Sequence, residues 1–546
     1  MYTNQKQLYA TGLFLFLIPS IVFVLANLLF FVGLPLGGWV FILSILLAVG
    51  ITYRVVLPLK LKMGSWFLLG LLIVGTALII SVEFYDCSFD GQWYHQDAIM
   101  FLADGWNPIW DSAISDQMVS GLNANYVNHY PKAPWVIQAT LYQLLGNIEA
   151  GKAVQIIYLM AFQLLLLDFL RNRFSLSWVN SILIVLLIGG STISLGQALS
   201  FYVDGMLYSL LGIFLLFLLE LVYFNTKSIW LFCLAFAVLA NIKFTGLIYA
   251  LVFLIMGGLW VIIRFKTRIK KTFIQFSVTV ILGVIVVGFP TYVRNTISKG
   301  HPFFPIMGPN NEGKSISEVQ YPADFFFRNR FDKFVAAHGS IPIYTSHEHS
   351  SLRKPLFNKI LILESIPYFK NHQPLTMSPF GPFEGELLVF LIPLVLIFLL
   401  QKRSLELYML FFGILASLAI QPEFWNLRYA PQLLFVVGII LLVLIQDQRN
   451  WVRITSLIFT GLFILNSSIA IFQNWKYVSE NNMALITVLE PMRNSHIKVQ
   501  AGWMKSFELK LKRFEITPEY EIDSNSVFSK FNGDVFSGWK YKKEMK

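Results

Sequence analysis

The sequence predicts an all-α polytopic membrane protein of about thirteen transmembrane helices (range about 11–14) with large extracytoplasmic loops. Three observations carry that expectation. Hydrophobic residues make up 56% of the 546-residue chain and charged residues only 13%, against roughly 25% charged in a soluble domain. Apolar runs long enough to cross a bilayer recur along the chain. The basic residues fall mostly in short loops on one side of those runs, where they set orientation. That placement accounts for the net charge of +11 without a nucleic-acid partner.

A span needs roughly 20 mostly apolar residues. The runs are 9–32, 36–53, 64–82, 152–170, 177–199, 204–224, 229–242, 244–263, 273–293, 386–401, 405–420, 431–446 and 454–472. The first is too long for a signal peptide and lacks a small-residue cleavage site, so it is expected as an anchor. The stretch 229–263 is long for one helix, short for two, and interrupted by Asn241-Ile242-Lys243-Phe244-Thr245-Gly246. A lysine at mid-bilayer costs roughly 2.5–3.5 kcal/mol; a hairpin turning at Lys243 moves that charge to the interface. The hairpin also keeps Arg264 to Lys271 on the side of Lys6, Arg54, Arg171 and Arg173. The positive-inside rule then predicts a multi-pass plasma-membrane protein with its N-terminus cytoplasmic and its C-terminus extracytoplasmic.

The organisation that follows has N-terminal spans (1–82), a first large extracytoplasmic loop with short amphipathic helices (83–151) and a central bundle (152–293). A second large loop (294–385), C-terminal spans (386–472) and an extracytoplasmic tail (473–546) complete it. Cys87 and Cys233 are too few for a disulfide framework. No internal repeat or nucleotide-binding glycine motif is visible.

Polar residues gather on the extracytoplasmic side. Asp86 and Asp90 follow the third run, with Tyr94 and His95 just after. A carboxylate just outside a span is partly desolvated and more basic, which suits deprotonation of an incoming hydroxyl. The plainer alternative is that these acids decorate an outer loop. Tyr202 and Asp204 stand at the mouth of a span, Lys243 at the hairpin tip, and Arg428 and Tyr429 in the short loop Glu423–Pro431. Arg294 opens the second large loop, with His301 close behind. Cations at headgroup level can hold a phosphate, Arg being suited to a forked contact; the alternative is interfacial anchoring. Basic residues are nearly absent from short outer loops, so Lys243 and Arg428 stand out. His347-Glu348-His349 brings two histidines to one face only on a strand, with no third ligand at metal-site spacing, and no metal site is expected there. Asp168 is expected to pair locally near Arg171 and Arg173, and Asp97 and Asp104 to lie on the solvated face of a short helix.

The segments Asp90-Gly91-Gln92-Trp93-Tyr94-His95, Gly105-Trp106-Asn107-Pro108, Tyr202-Val203-Asp204-Gly205 and Lys243-Phe244-Thr245-Gly246 form an ordered series. It continues through Arg294-Asn295, Gly300-His301-Pro302-Phe303-Phe304-Pro305 and Arg428-Tyr429. In that order, across many spans, the chain resembles the GT-C superfamily of membrane glycosyltransferases, particularly bacterial relatives of the dolichyl-phosphate-mannose protein mannosyltransferases. The resemblance implies transfer of a sugar from a polyprenyl-phosphate-linked donor to a glycan, lipid or protein acceptor, generally with inversion and without a nucleotide sugar. It implies Asp90 as catalytic base, with Asp86 as rival. It implies no cofactor, although the oligosaccharyltransferase relatives use a divalent metal. The chain departs from the family pattern in two respects: its acidic loop follows the third run, and no Asp-Glu pair stands directly after that span. The physical chemistry agrees, because a phosphate leaving group needs positive charge as its bond to the sugar breaks, and Lys243, Arg294 and Arg428, with His301 as a further donor, are available. The rival readings are a transporter or flippase of lipid-linked glycans, which commonly shows repeated halves and broken helices, and a surface-polysaccharide polymerase or ligase.

Overall fold

In lipid, a backbone that cannot reach water must satisfy its own hydrogen bonds, which favours helices. Each apolar run falls on helix in the computed structural model, which describes residues 2–57, 63–115, 121–222, 229–308, 328–339, 341–344, 350–353, 381–401, 405–500, 504–521, 529–530 and 540–542. Helices α1 (Tyr2–Phe31), α2 (Trp39–Val56) and α3 (Met63–Glu83) precede the first loop, which carries α4 (Gln96–Ala103), α5 (Gly121–His129) and α6 (Ala133–Leu145). The central group is α7 (Ala153–Arg173), α8 (Trp178–Gly189), α9 (Thr192–Gly196), α10 (Asp204–Val222), α11 (Ile229–Ala240), α12 (Phe244–Arg264) and α13 (Ile269–Val280). After it come α14 (Arg294–Lys299), α15 (Arg330–His338), α16 (Glu384–Leu400), α17 (Leu405–Ile420), α18 (Leu433–Leu444) and α19 (Asn450–Leu489). Among the described residues, eight helical stretches are long and apolar enough to cross a bilayer, and α8, α11, α17 and α18 are shorter apolar helices.

Helix α10 is buried on nearly all sides, as an all-round apolar helix should be, and packs against α7, α11 and α12. The outer helices keep apolar side chains exposed, Ile79 at 73% and Phe273 at 71% among them. A water-facing surface would not carry so much apolar area; a lipid-facing one does.

The interruption at 241–243 is real: α11 stops at Ala240 and α12 starts at Phe244. Asn241 Nδ2 donates to the carbonyls of Ala237 and Gly283, both at 2.8 Å, while Ala133 N–H donates to Asn241 O at 3.0 Å. The expected run 177–199 is instead two helices. Gly189 and Gly190 end α8, and Ser191 caps α9 by accepting from Ser194 N–H at 3.1 Å.

Two further features were not expected from the sequence. The helix that carries the last apolar run continues past residue 472: α19 runs 40 residues, roughly 60 Å, and enters the C-terminal unit without a break. The chain is mostly helical, as expected, and carries two small sheets besides. Strands β1 (Ile341–Tyr344) and β2 (Ser350–Arg353) pair antiparallel. In the tail, β3 (His496–Gln500), β4 (Thr517–Tyr520), β5 (Ser529–Lys530) and β6 (Lys540–Lys542) form a sheet of order β4-β3-β6-β5. Strands β3 and β4 run parallel, joined through α20 (Phe507–Arg513), the crossover that a parallel pair requires.

The tail is fastened to the first loop. Asn482 of α19 holds Tyr85 by both backbone groups, accepting from its N–H at 2.6 Å and donating to its carbonyl at 3.1 Å. Tyr85 stacks on Phe514 at 5.9 Å between centroids, and Val499, Phe507 and Leu511 close a small core with Leu485 and Leu489. The segment carrying Asp86 and Asp90 is therefore held from both sides.

Candidate functional site

The centre of the site is Asp204, the first residue of α10 and 0% exposed. A buried carboxylate must be paired and hydrogen-bonded, and this one is. Lys243 Nζ lies 2.6 Å from Oδ1; Arg428 Nε lies 2.9 Å from Oδ2, which also accepts from Gln197 Nε2 at 3.2 Å. The positive end of the α10 dipole adds to the stabilisation. Arg428 then reaches onward, its Nη2 2.9 Å from Asp90 Oδ2. Four charged residues from four parts of the chain thus form one network with two positive and two negative charges.

Local structure aims each member. Gln155 of α7 donates from Nε2 to the carbonyls of Ser200 and Tyr202, and Gln197 Oε1 accepts from Gly205 N–H at 2.9 Å, fixing the turn before Asp204. Asn426 Oδ1 accepts from Arg428 N–H at 3.0 Å, an Asx turn that sets the loop, and Tyr249 donates its hydroxyl to Tyr429 O. The Arg428 guanidinium sits 4.3 Å from the centroid of Tyr202, and Lys243 Nζ 4.5 Å from that of Tyr429, close enough for cation–π attraction.

Asp90 precedes a π-helical turn, Gly91–His95, that leads into α4 and buries Tyr94 and His95. Burial and then the Asp90 charge push the Tyr94 phenol well above its ordinary range. His95 Nδ1 accepts from Trp135 Nε1 at 2.6 Å, which leaves the proton of the neutral ring on Nε2. Burial, with Lys243 and Arg428 nearby, lowers His95 to about 3. The unfolded chain therefore takes up a proton below about pH 6.5 that the folded chain refuses, and stability falls as pH drops through that window. The expected result is that His95→Gln, which retains an acceptor for Trp135, loses less stability than the parent between about pH 7 and pH 4. Thermal unfolding of the purified chain across that range checks it.

Asp86, four residues before Asp90, occupies a different environment. It is 0% exposed and accepts from Ser88 N–H at 3.0 Å and Ser88 Oγ at 2.9 Å. Its own N–H donates to Glu149 Oε2 at 3.1 Å, and Glu149 pairs with Lys152 at 2.7 Å. Burial, then the Glu149 charge, raises Asp86 to about 6. Asp90, in contrast, keeps 17% of its side chain exposed. Gly91 separates the two environments, since a Cβ there would run into Asp86 Oδ2 and Ser88 Oγ. Gly91→Ala is expected to cost about 1–3 kcal/mol by overpacking, read as a lowered unfolding midpoint, with smaller loss when Asp86 is also Ala.

Of the residues singled out in the sequence, Asp90, Tyr94, His95, Tyr202, Asp204, Lys243, Arg428 and Tyr429 come together. Arg294 and His301 do not join them. Arg294 donates to the carbonyls of Pro108 and Asp111, and His301 Nδ1 accepts from Phe303 N–H at 3.1 Å. They belong to a neighbouring knot around Asn295, whose Oδ1 meets His129 Nδ1 at 2.8 Å. Arg294 donates from both terminal nitrogens to backbone oxygens of the first loop, which ties it to that loop and away from the network. Asp97 is buried, not on a solvated face; burial raises it to about 7. Asp168 accepts from Asn172 at 2.7 Å, while Arg173 pairs with Glu220 at 2.6 Å.

Residues that the sequence reading passed over are Gln155, Gln197, Tyr130 and Trp135, together with the buried amine of Lys132. Lys132 donates to the carbonyls of Asn128 and Tyr130 and is lowered by burial to about 7. A glutamine inside an apolar run, as at 155 and 197, was the available signal. Among the described residues no group of three His, Cys, Asp or Glu is placed to hold a metal; His347, Glu348 and His349 lie outside them. Both carboxylates of the network are already engaged by cations, a donor set that suits an anionic ligand better than a metal. Protein-family models, curated proteins and solved structures were all compared with the chain, and none matches.

Proposed function

We propose that this chain is a membrane glycosyltransferase that moves a sugar from a polyprenyl-phosphate-linked donor to an extracytoplasmic acceptor with inversion, Asp90 acting as general base. The observation that carries the reading is the asymmetry of the Asp90–Arg428–Asp204–Lys243 network. Asp204 is sealed and holds both cations. Asp90 is partly exposed, engages Arg428 through Oδ2 only, and among the described residues its Oδ1 accepts no hydrogen bond.

The chemistry follows from that arrangement. Arg428 Nη1 and the outward side of the Lys243 ammonium, 21% exposed, retain donors for the donor phosphate. The acceptor hydroxyl attacks the anomeric carbon and its proton passes to Asp90 Oδ1. The bond from that carbon to the phosphate oxygen breaks, and the cations take up the charge that develops there. Because the network is neutral beforehand, an arriving phosphate competes with Asp90 for Arg428 and loosens the base as it binds. In this reading the eight long apolar helices, the four shorter ones and α16 (17 residues) are all spans, about thirteen in number. The N-terminus is then cytoplasmic, the first loop and tail are extracytoplasmic, and the exposed apolar helix faces accept the carrier's prenyl chain.

The test is biochemical. Membranes containing the chain, supplied with radiolabelled polyprenyl-phosphate sugars, are expected to release polyprenyl phosphate and label an acceptor. If no donor is consumed, the transferase reading falls. The break between α8 and α9 and the π turns at 281–286 and 289–293 favour one alternative, a transporter of lipid-linked glycans, because broken helices are typical of transporters. Movement of labelled donor across reconstituted vesicles without cleavage would select it.

A further inference from the structure

A second polar site lies away from the charged network, between the first loop and the C-terminal unit. A cavity of about 210 Å³ is bounded by Tyr85, Gln96, Tyr142, Asn147, Lys512 and Arg513. That is far above the roughly 10–15 Å³ that a single water requires. Gln96 is 1% exposed, and its amide Nε2 has no hydrogen-bond partner. Native proteins seldom leave a buried donor unsatisfied, and this one belongs to a residue of the cavity wall.

The chemistry of the wall is one-sided. Asn147 uses its Oδ1 to accept from Glu149 N–H, which leaves its NH₂ as the available group. Arg513 is steered by a bond from Nη1 to Val82 O at 3.0 Å and lies 4.8 Å over the Tyr85 ring; its other N–H groups remain. The Lys512 ammonium and the Tyr142 hydroxyl complete a set of donors. The one acid in the lining, Glu149, is already paired with Lys152. Forked and charge-assisted donors of this kind suit a phosphate.

The position adds to the argument. Val82 is near the end of α3, and α6 ends against the start of α2, with Gly38 beneath Leu144. Leu144 and Leu145, beside the cavity, are exposed. The opening therefore sits where α2 and α3 leave the apolar zone, the level of lipid headgroups. We infer that this cavity binds a phosphate group, presented by the headgroup of an anionic phospholipid or by soluble phosphate. The inference does not depend on the transferase reading, because it uses other residues and another measurement.

The experiment uses the full chain purified in detergent. Native mass spectrometry follows retention of phosphatidic acid, phosphatidylglycerol and phosphatidylcholine, and thermal unfolding follows inorganic phosphate. Variants are Lys512→Ala, at an exposed position, and Gln96→Leu, which removes an unsatisfied buried donor and is expected to leave the empty protein at least as stable. Preferential retention of the two anionic lipids, weakened about tenfold in either variant, identifies the headgroup as source. Stabilisation by inorganic phosphate, lost in both variants with no preference among lipids, identifies soluble phosphate. If neither probe distinguishes the parent from the variants, the cavity is not a phosphate site.

Discussion

Asp90→Asn is expected to lower sugar transfer by about 10²–10⁴-fold, the usual worth of a positioned general base, with little change in donor affinity. The asparagine keeps an oxygen 2.9 Å from Arg428 Nη2 but cannot take the acceptor's proton. It also removes one negative charge from a network of two cations and two carboxylates. A donor phosphate then meets Arg428 and Lys243 with less competition, so KM should hold or fall while kcat collapses, the signature of an interaction needed only in the transition state. Asp86→Asn separates the two acids. Asp86 is sealed against Ser88 and Glu149, so its replacement should change unfolding more than turnover. Both variants are measured as release of polyprenyl phosphate from labelled donor in membranes. If Asp90→Asn transfers sugar at the parent rate and Asp86→Asn does not, the base is Asp86; if both retain full activity, no base is supplied by this loop.

The sequence made the helices legible because apolar runs dictate them: a chain in lipid has few other ways to satisfy its backbone. The turn at Lys243 was legible for a related reason, since a charge in mid-bilayer is costly enough to break a run. The expectation that Asp90, Asp204 and Arg428 gather at one end of the spans followed from counting them. Their pairing did not. Arg428 meets Asp204 and Asp90 across 224 and 338 residues of chain, and such contacts are set by packing that no local pattern encodes. The same limit explains Arg294, which has the sequence character of a phosphate-holding cation but finds the Asp111 carbonyl 183 residues away. Asp86 and Asp90 are near-equivalent by position; what divides them is the Glu149 and Lys152 knot beneath one and the Arg428 fork beside the other. The C-terminal sheet was hidden because its strands are short and mix charged with apolar residues, and its core is completed by Tyr85 and by α19.

Asp204→Asn is the change expected to cost the most stability. Removing one partner of a buried ion pair typically costs about 3–5 kcal/mol, because the other charge is left buried and uncompensated. Here one carboxylate serves two cations that do not fare alike. Lys243, 21% exposed, can turn its ammonium toward water; Arg428, its side chain 10% exposed, cannot, and retains only Asp90. Its fork is then drawn onto Asp90 and engages the oxygen that the parent leaves unbonded, so turnover is expected to fall even though the proposed base is intact. Adding Lys243→Met to Asp204→Asn should restore part of the stability, since a desolvated charge is removed, but little of the activity, since a cation proposed to hold the phosphate is also lost. The cycle of single and double variants, read by denaturant unfolding in detergent and by donor cleavage, separates the two roles. Equal stability in the parent and Asp204→Asn would mean that Arg428 is held by the rings of Tyr202 and Tyr429, 4.3 and 5.9 Å from its guanidinium, with Asp204 dispensable to the network. An additive double variant would mean that Lys243 and Asp204 act independently despite a separation of 2.6 Å.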